Sequence, residues 1–244
     1  MPEQLWITQL LNRAFAGPVD ALLRAVHVPP QYEQAPISNA VAMQVLVFVF
    51  LVIVFALVRS RLSVDNPGAL QHVFEGVHGF VNAQSEEIIG HHSSQYTPYL
   101  VALGYYILVS NLIGLIPGFE SPTGASPSVP LGCAMLSFFY YHAQGFKHAG
   151  PRYLKHFAGP MIALAPLMVP IEIISHLARV LSLTIRLYAN MFAGDMVTLV
   201  FFSLVPIGIP ILFLGLHIGV SFLQTYIFVL LVTVYLQGAV VSDH

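Results

Sequence analysis

Apolar residues run almost unbroken over about 39–58, 98–116 and 131–146, and then over two much longer stretches, about 160–202 and 207–241. Each of the first three predicts a membrane-crossing helix, which needs about 20 residues. The last two run for roughly 35 residues or more, or roughly 50 Å of helix, against a hydrocarbon core of about 30 Å. Pro160, Pro166 and Pro170 allow a break early in the first of them, and no further proline follows until Pro206. The pattern therefore predicts two long, strongly tilted helices, joined by a tight turn near Val205-Pro206-Ile207-Gly208 and packed as a hairpin. Residues 69–90 keep a helical pattern but carry His72, Glu75, His78, Glu86 and Glu87, which predicts a helix along the membrane surface. Residues 3–27 mix Trp6, Leu10, Leu11 and Phe15 with Arg13, Asp20 and Arg24, an amphipathic interfacial segment followed by a linker through Pro36. A Ser-, Pro- and Gly-rich loop is expected at 118–130.

Composition turns these elements into a membrane protein. Of the 244 residues 57% are hydrophobic and 8% charged, where soluble domains carry about 25% charge. The expected fold is all-α and integral to the membrane, with about five membrane helices plus one interfacial amphipathic helix. Residues 1–37 form the N-terminal segment and linker, and 38–244 a single membrane channel domain. One cysteine, Cys133, excludes an internal disulfide framework. The N-terminus has neither the basic and apolar regions of a signal peptide nor the Arg- and Ser-rich pattern of a transit peptide. The expected location is a bacterial cell inner membrane, with an organelle inner membrane as the alternative.

Lys and Arg set the orientation. Arg59 and Arg61 follow the first span, and Lys147, Arg152 and Lys155 follow the third, whereas the loops at 118–130 and 203–209 carry neither residue type. The basic loops and the C-terminus are thus expected in the cytoplasm and the N-terminus outside.

Arg186 is the chemical anomaly. It lies deep in an apolar stretch, and its helical neighbours Ser182, Leu183, Ala189 and Asn190 include no acid. A guanidinium cannot shed its proton to escape low dielectric. On a helical wheel Glu172, His176, Arg179, Arg186 and Asn190 share one narrow face, within about 40° of Glu172. His217, Ser221, Gln224 and Tyr235 share another on the last helix. Facing polar stripes in lipid point to an ion pathway, although interhelical glue explains Ser221, Thr184 or Tyr235 taken singly. Arg179, nearer the cytoplasm, can pair with Glu172 or reach the interface. No acid occurs between Pro206 and Val241. Glu172 lies roughly 21 Å from Arg186 along the axis, and Asp195 roughly 13 Å away on about the opposite face. The counter-charge for Arg186 is therefore expected from another subunit.

The run Ser182-Leu-Thr-Ile-Arg186-Leu-Tyr-Ala-Asn190-Met-Phe-Ala-Gly194-Asp195 resembles the signature of subunit a of F-type ATP synthases. Asn111-Leu-Ile-Gly-Leu-Ile-Pro117, Pro170-Ile-Glu172-Ile-Ile-Ser-His-Leu-Ala-Arg179 and Pro67-Gly-Ala-Leu-Gln71 are similar to the same family, as is the His217-to-Gln224 interval. The resemblance covers roughly residues 38–241. It implies a proton-translocating stator subunit beside a c-ring of rotor subunits, within a complex that also contains peripheral-stalk b subunits. Arg186 resembles the arginine that meets the rotor carboxylate and separates two half-channels, with Asn190 positioning it. Asp195 and His217 resemble the polar pair of the outer half-channel, Glu172 the inner acid, and Gln224 the residue facing the arginine. His176, Arg179, Ser182 and Ser221 complete the polar face. The sequence departs from the family after Pro117, where Ser121-Pro-Thr-Gly-Ala-Ser-Pro-Ser-Val-Pro130 contains no acid and Glu120 is the available substitute.

Neither a cofactor nor a metal is expected. His72 and His78 lie about 120° apart on a helix, a poor shared face for ligation even with Glu75, His91 and His92 nearby. There is no Gly-rich phosphate loop, so no nucleotide site or catalytic activity is expected of this chain, and no nucleic-acid partner. The competing reading, a self-contained ion-coupled transporter or channel, requires an acid partner for Arg186 within the chain and often an inverted repeat, and neither is found.

Overall fold

The computed structural model describes residues 5–25, 36–63, 67–90, 93–116, 118–150, 153, 165–204 and 209–240. Among these, all regular structure is helical. In chain order the α-helices are α1 (Trp6–Ala25), α2 (Asn39–Ser60), α3 (Ala69–Ile89), α4 (Thr97–Leu112), α5 (Pro122–Ala125), α6 (Ser128–Ala149), α7 (Ala165–Leu204) and α8 (Ile209–Val240). Among the described residues four helices have the length and apolarity to cross a membrane: Asn39–Ser60, Thr97–Leu115, Pro166–Leu204 and Ile211–Val240. The fifth expected span, α6, has 22 residues, but Ser137, His142, Gln144 and Lys147 make it more polar, and it packs against both α7 and α8. The expected tight turn at 205–208, Arg152, Lys155, His91 and His92 lie outside the described residues.

The two long helices exceed a bilayer as expected. α7 has 40 residues and α8 has 32, or roughly 60 and 48 Å. They run antiparallel: Asn190 meets Gln224, Met191 meets Ser221 and Asp195 meets His217. One residue gained on α7 is thus about one lost on α8. α7 buries Val180, Leu183, Leu187 and Met191, the three- and four-residue spacing of a packed helix seam. The seam of α8 continues that spacing through His217, Ser221, Gln224, Phe228, Val232 and Leu236. Of these, the three nearer the N-terminus of α8 are polar and the three nearer its C-terminus apolar.

Around this pair, α4 contributes Leu100, Leu103 and Ile107 and α6 contributes Cys133, Ala134 and Tyr141 to one continuous core. Gly104 lets α4 approach α8 closely, because a Cβ there would stand 3.3 Å from Val229. α3 departs from a simple surface helix. Asn82 accepts from the Thr97 hydroxyl at 2.9 Å, Phe74 stacks on Tyr105, and Gln84 donates to the Tyr226 hydroxyl at 2.8 Å. Val81 is buried while Leu70, Val73 and Phe80 remain exposed, which suits an amphipathic helix bound to the bundle along one side. α1 is tied to the start of α2 by reciprocal bonds between the Asn12 side chain and the Ile37 backbone, both at 3.1 Å.

The expected 118–130 loop is shorter than its composition suggests. Ser121 caps the short helix α5, accepting from the Gly124 N–H, and α6 begins at Ser128. Pro122 at the first turn of α5 and Ser121 as its N-cap are start signals that the density of Pro, Ser and Gly obscured.

Candidate functional site

Three polar clusters lie along α7. At its centre, Asn190 Nδ2 donates to Gln224 Oε1 at 2.9 Å. Gln224 is 1% exposed, and its Nε2 has no hydrogen-bond partner among the described residues. Arg186 is half-buried on the flank of the α7 seam. Its guanidinium donates to Ser182 Oγ at 3.4 Å, and no carboxylate of the described residues is within 4 Å of it. Gln224 thus meets Asn190 across the α7–α8 seam.

Toward the C-terminal end of α7, Asp195 Oδ1 lies 3.7 Å from His217 Nδ1. Two glycines make this approach possible. A Cβ on Gly194 would come within 2.8 Å of His217 Nδ1, and one on Gly124 within 2.5 Å of Asp195 Oδ2. α5 is thus seated against the carboxylate from the opposite side. Arg186 and Asp195, nine residues apart, point about 180° from one another, so the α7 seam separates the cation from the acid. His217 Nε2 is buried without a partner among the described residues. Ser221 donates to the His217 carbonyl at 2.8 Å and lies 3.9 Å from Met191 Sδ.

Behind α5 lies a neutral hydrogen-bond network. Thr123 donates to Asn111 Oδ1 at 2.7 Å, and the Ser121 and Thr123 hydroxyls are 2.9 Å apart. Ser121 also donates to the Ser110 carbonyl at 3.1 Å. Asn111 Nδ2 and Ser110 Oγ, though buried, lack partners among the described residues. Buried polar atoms of this kind are ordinarily satisfied by ordered water. Glu120, at the same end of the bundle, accepts from Asn39 at 3.5 Å and interacts electrostatically with Asp195.

Toward the N-terminal end of α7 the expected polar stripe divides. Glu172 Oε1 lies 3.3 Å from His176 Nε2, and the Tyr141 hydroxyl of α6 lies 2.8 Å from His176 Nδ1. Arg179 is not paired with Glu172; its guanidinium carbon stands 5.1 Å over the Tyr235 ring. His142 Nδ1 lies 2.7 Å from the Tyr153 hydroxyl. Burial pushes the Tyr153 phenol up to about 12, which keeps it protonated beside His142. Tyr141, His142, Tyr153, Ser121 and Thr123 are the site neighbours that the sequence reading missed. Tyr140-Tyr141-His142 inside an apolar helix was the visible signal, but aromatic residues at helical spacing read first as core.

The described residues form a polytopic, all-helical membrane protein whose two longest helices enclose successive polar clusters with a half-buried cation between them. The chain belongs to the ATP synthase A chain family, whose family model matches residues 41–237. It is 58% identical over 245 residues to ATP synthase subunit a of Koribacter versatilis (strain Ellin345), covering 100% of both chains. It is 52% identical over 236 residues to ATP synthase subunit a of Solibacter usitatus (strain Ellin6076), covering 96% of this chain and 100% of that one. The corresponding protein of Geotalea uraniireducens (strain Rf4) is 39% identical over 216 residues, with 87% of this chain and 93% of that one covered.

Proposed function

We propose that this chain is the non-catalytic, proton-translocating stator subunit of a rotary ATP synthase in a bacterial inner membrane. It offers two offset aqueous half-channels to the carboxylates of a c-ring, and Arg186 stands between them. A proton from outside passes Asp195 and His217 and neutralises a rotor carboxylate, which then moves into lipid. The next carboxylate is drawn to Arg186 as its own proton leaves past Glu172. Arg186 acts as a fixed charge and does not titrate, and the membrane potential supplies about 2.3 kcal/mol per proton per 100 mV. The c-ring, the peripheral-stalk b subunits and the surrounding lipid are the partners of this reading. The N-terminus lies outside and the C-terminus in the cytoplasm.

The observation that carries the reading is Arg186 itself, half-buried on an apolar helix with one long bond to Ser182 and no carboxylate of the described residues nearby. A charge so placed needs a counter-ion, and a travelling rotor carboxylate supplies one that comes and goes. The opposed positions of Arg186 and Asp195 support two separate paths, as does the acid–histidine pair at each end. The test is ATP synthesis driven by an imposed proton gradient in vesicles that carry the assembled complex. Arg186→Ala is expected to abolish synthesis and to leave the membrane passively leaky to protons. Synthesis at the wild-type rate would sink the proposal.

A further inference from the structure

Inward of Arg186, α7 presents one acid among the described residues, Glu172, and the structure surrounds it with groups from α6. The Tyr141 hydroxyl is 2.8 Å from His176 Nδ1, and His176 Nε2 is 3.3 Å from Glu172 Oε1. When the phenol donates to Nδ1, the single proton of a neutral imidazole stays on Nε2 and faces the carboxylate. The His176 ring is walled in. It lies 4.7 Å from the His142 ring and 5.8 Å, nearly parallel, from the Tyr141 ring. His142 is itself held by Tyr153, whose ring lies over Gly145 where a Cβ would come within 2.5 Å of it. Arg179 is drawn to the Tyr235 ring on α8, 5.1 Å away, so the nearest guanidinium does not clamp Glu172. The side chain of Glu172 is 29% exposed against 9% for His176. The chain of contacts thus leads from a locked, buried ring to an acid whose side chain is partly exposed and whose Oε1 alone meets that ring.

We propose that Tyr141 is a positioning residue of proton release. By fixing the His176 tautomer from α6, it keeps the Nε2–H on one oxygen of Glu172 and leaves the other free for the travelling proton. The proposal rests on reading Glu172 as the inner half-channel acid. In each cycle a proton arriving from the Arg186 side adds to the Glu172 carboxylate and then leaves to cytoplasmic water. Tyr141 and His176 keep their own protons throughout. Interhelical glue alone does not require this arrangement, because a Tyr141–His176 bond holds α6 to α7 without a carboxylate, and the contact to Glu172 adds nothing to that seam.

The experiment uses the whole complex in inverted vesicles, with the catalytic head then stripped. Potential-driven proton conduction is measured per assembled complex, counted by the ATPase activity regained on rebinding the head. Tyr141→Phe, which keeps the ring and loses only the hydroxyl, should conduct about three- to tenfold more slowly, the effect of one lost positioning bond. His176→Leu should be at least as slow. His176→Gln, which keeps an N–H donor without a titrating ring, should restore more than half of the rate. Wild-type conduction in Tyr141→Phe overturns the proposal, and so does His176→Gln being as slow as His176→Leu. Glu172→Gln separates the two levels: wild-type conduction there defeats the inner-channel reading itself. A slow Glu172→Gln beside fast Tyr141 and His176 variants defeats the positioning role alone.

Discussion

Replacing Gly194 by Ala tests the outer path at the one backbone position where α7 admits the His217 ring. The new Cβ would lie 2.8 Å from Nδ1 and 3.2 Å from Cε1, where ordinary contacts begin near 3.4 Å. His217 is 5% exposed, so its ring has little free space to move into and must retreat by roughly half an ångström. The Asp195–His217 separation of 3.7 Å is already long for a polar pair, and that retreat takes it beyond useful contact. Overpacking of this kind costs about 1–3 kcal/mol, while Ala in place of Gly in a helix interior returns about 1 kcal/mol. Stability should therefore change little. A displacement worth about 1–2 kcal/mol at the transfer step slows conduction roughly 5- to 30-fold. The assay is potential-driven proton conduction in head-stripped vesicles, beside thermal unfolding of the purified complex. Gly215→Ala is the control on α8, since a Cβ there meets nothing within 4 Å, and it should conduct normally. If Gly194→Ala conducts at the wild-type rate with its complex intact, the Asp195–His217 approach does not limit proton uptake and the reasoning fails.

Other outcomes follow from the same geometry. Asn190→Leu leaves both polar atoms of buried Gln224 unpaired, an expected loss of about 1 kcal/mol or more. Asn190→Leu with Gln224→Leu should recover most of it in thermal unfolding, and strictly additive losses would contradict a direct pair. Thr123→Val removes the donor to Asn111 Oδ1 and should loosen α5 behind Asp195. Faster amide exchange at Gly124 and Ala125 and conduction slowed by less than about tenfold are expected; unchanged exchange would show that the hydroxyl network does not hold α5. Arg186→Lys keeps the charge as a compact ammonium in place of a planar fork. It should block the passive leak of Arg186→Ala while restoring little synthesis, and a leak equal to that of Arg186→Ala would argue against a purely electrostatic barrier.

Periodicity and composition along the chain determined the helical fold, the two over-long helices, and the isolation of Arg186 from any acid one turn away. They also set Arg186 and Asp195 on opposite flanks of α7, because both consequences depend only on 100° per residue within one helix. Which helices meet, and at what level, is not local. The pairing of Gln224 with Asn190, the capture of Arg179 by Tyr235, and the divided stripe in which His176 turns to Tyr141 all depend on rotation and register between helices. Side chains far apart in sequence settle that register through close glycine approaches at Gly104, Gly124, Gly194 and Gly145. α3 shows the same limit: its amphipathic pattern was plain in sequence, while its bonds to Thr97 and Tyr226 required α4 and α8 in place. The acid-free 121–130 segment changed most. Read as composition it was a loop lacking a carboxylate. In three dimensions it holds a capped short helix whose Thr123 hydroxyl meets Asn111 and whose Gly124 lies against Asp195, because a hydrogen-bond network is a property of where side chains converge.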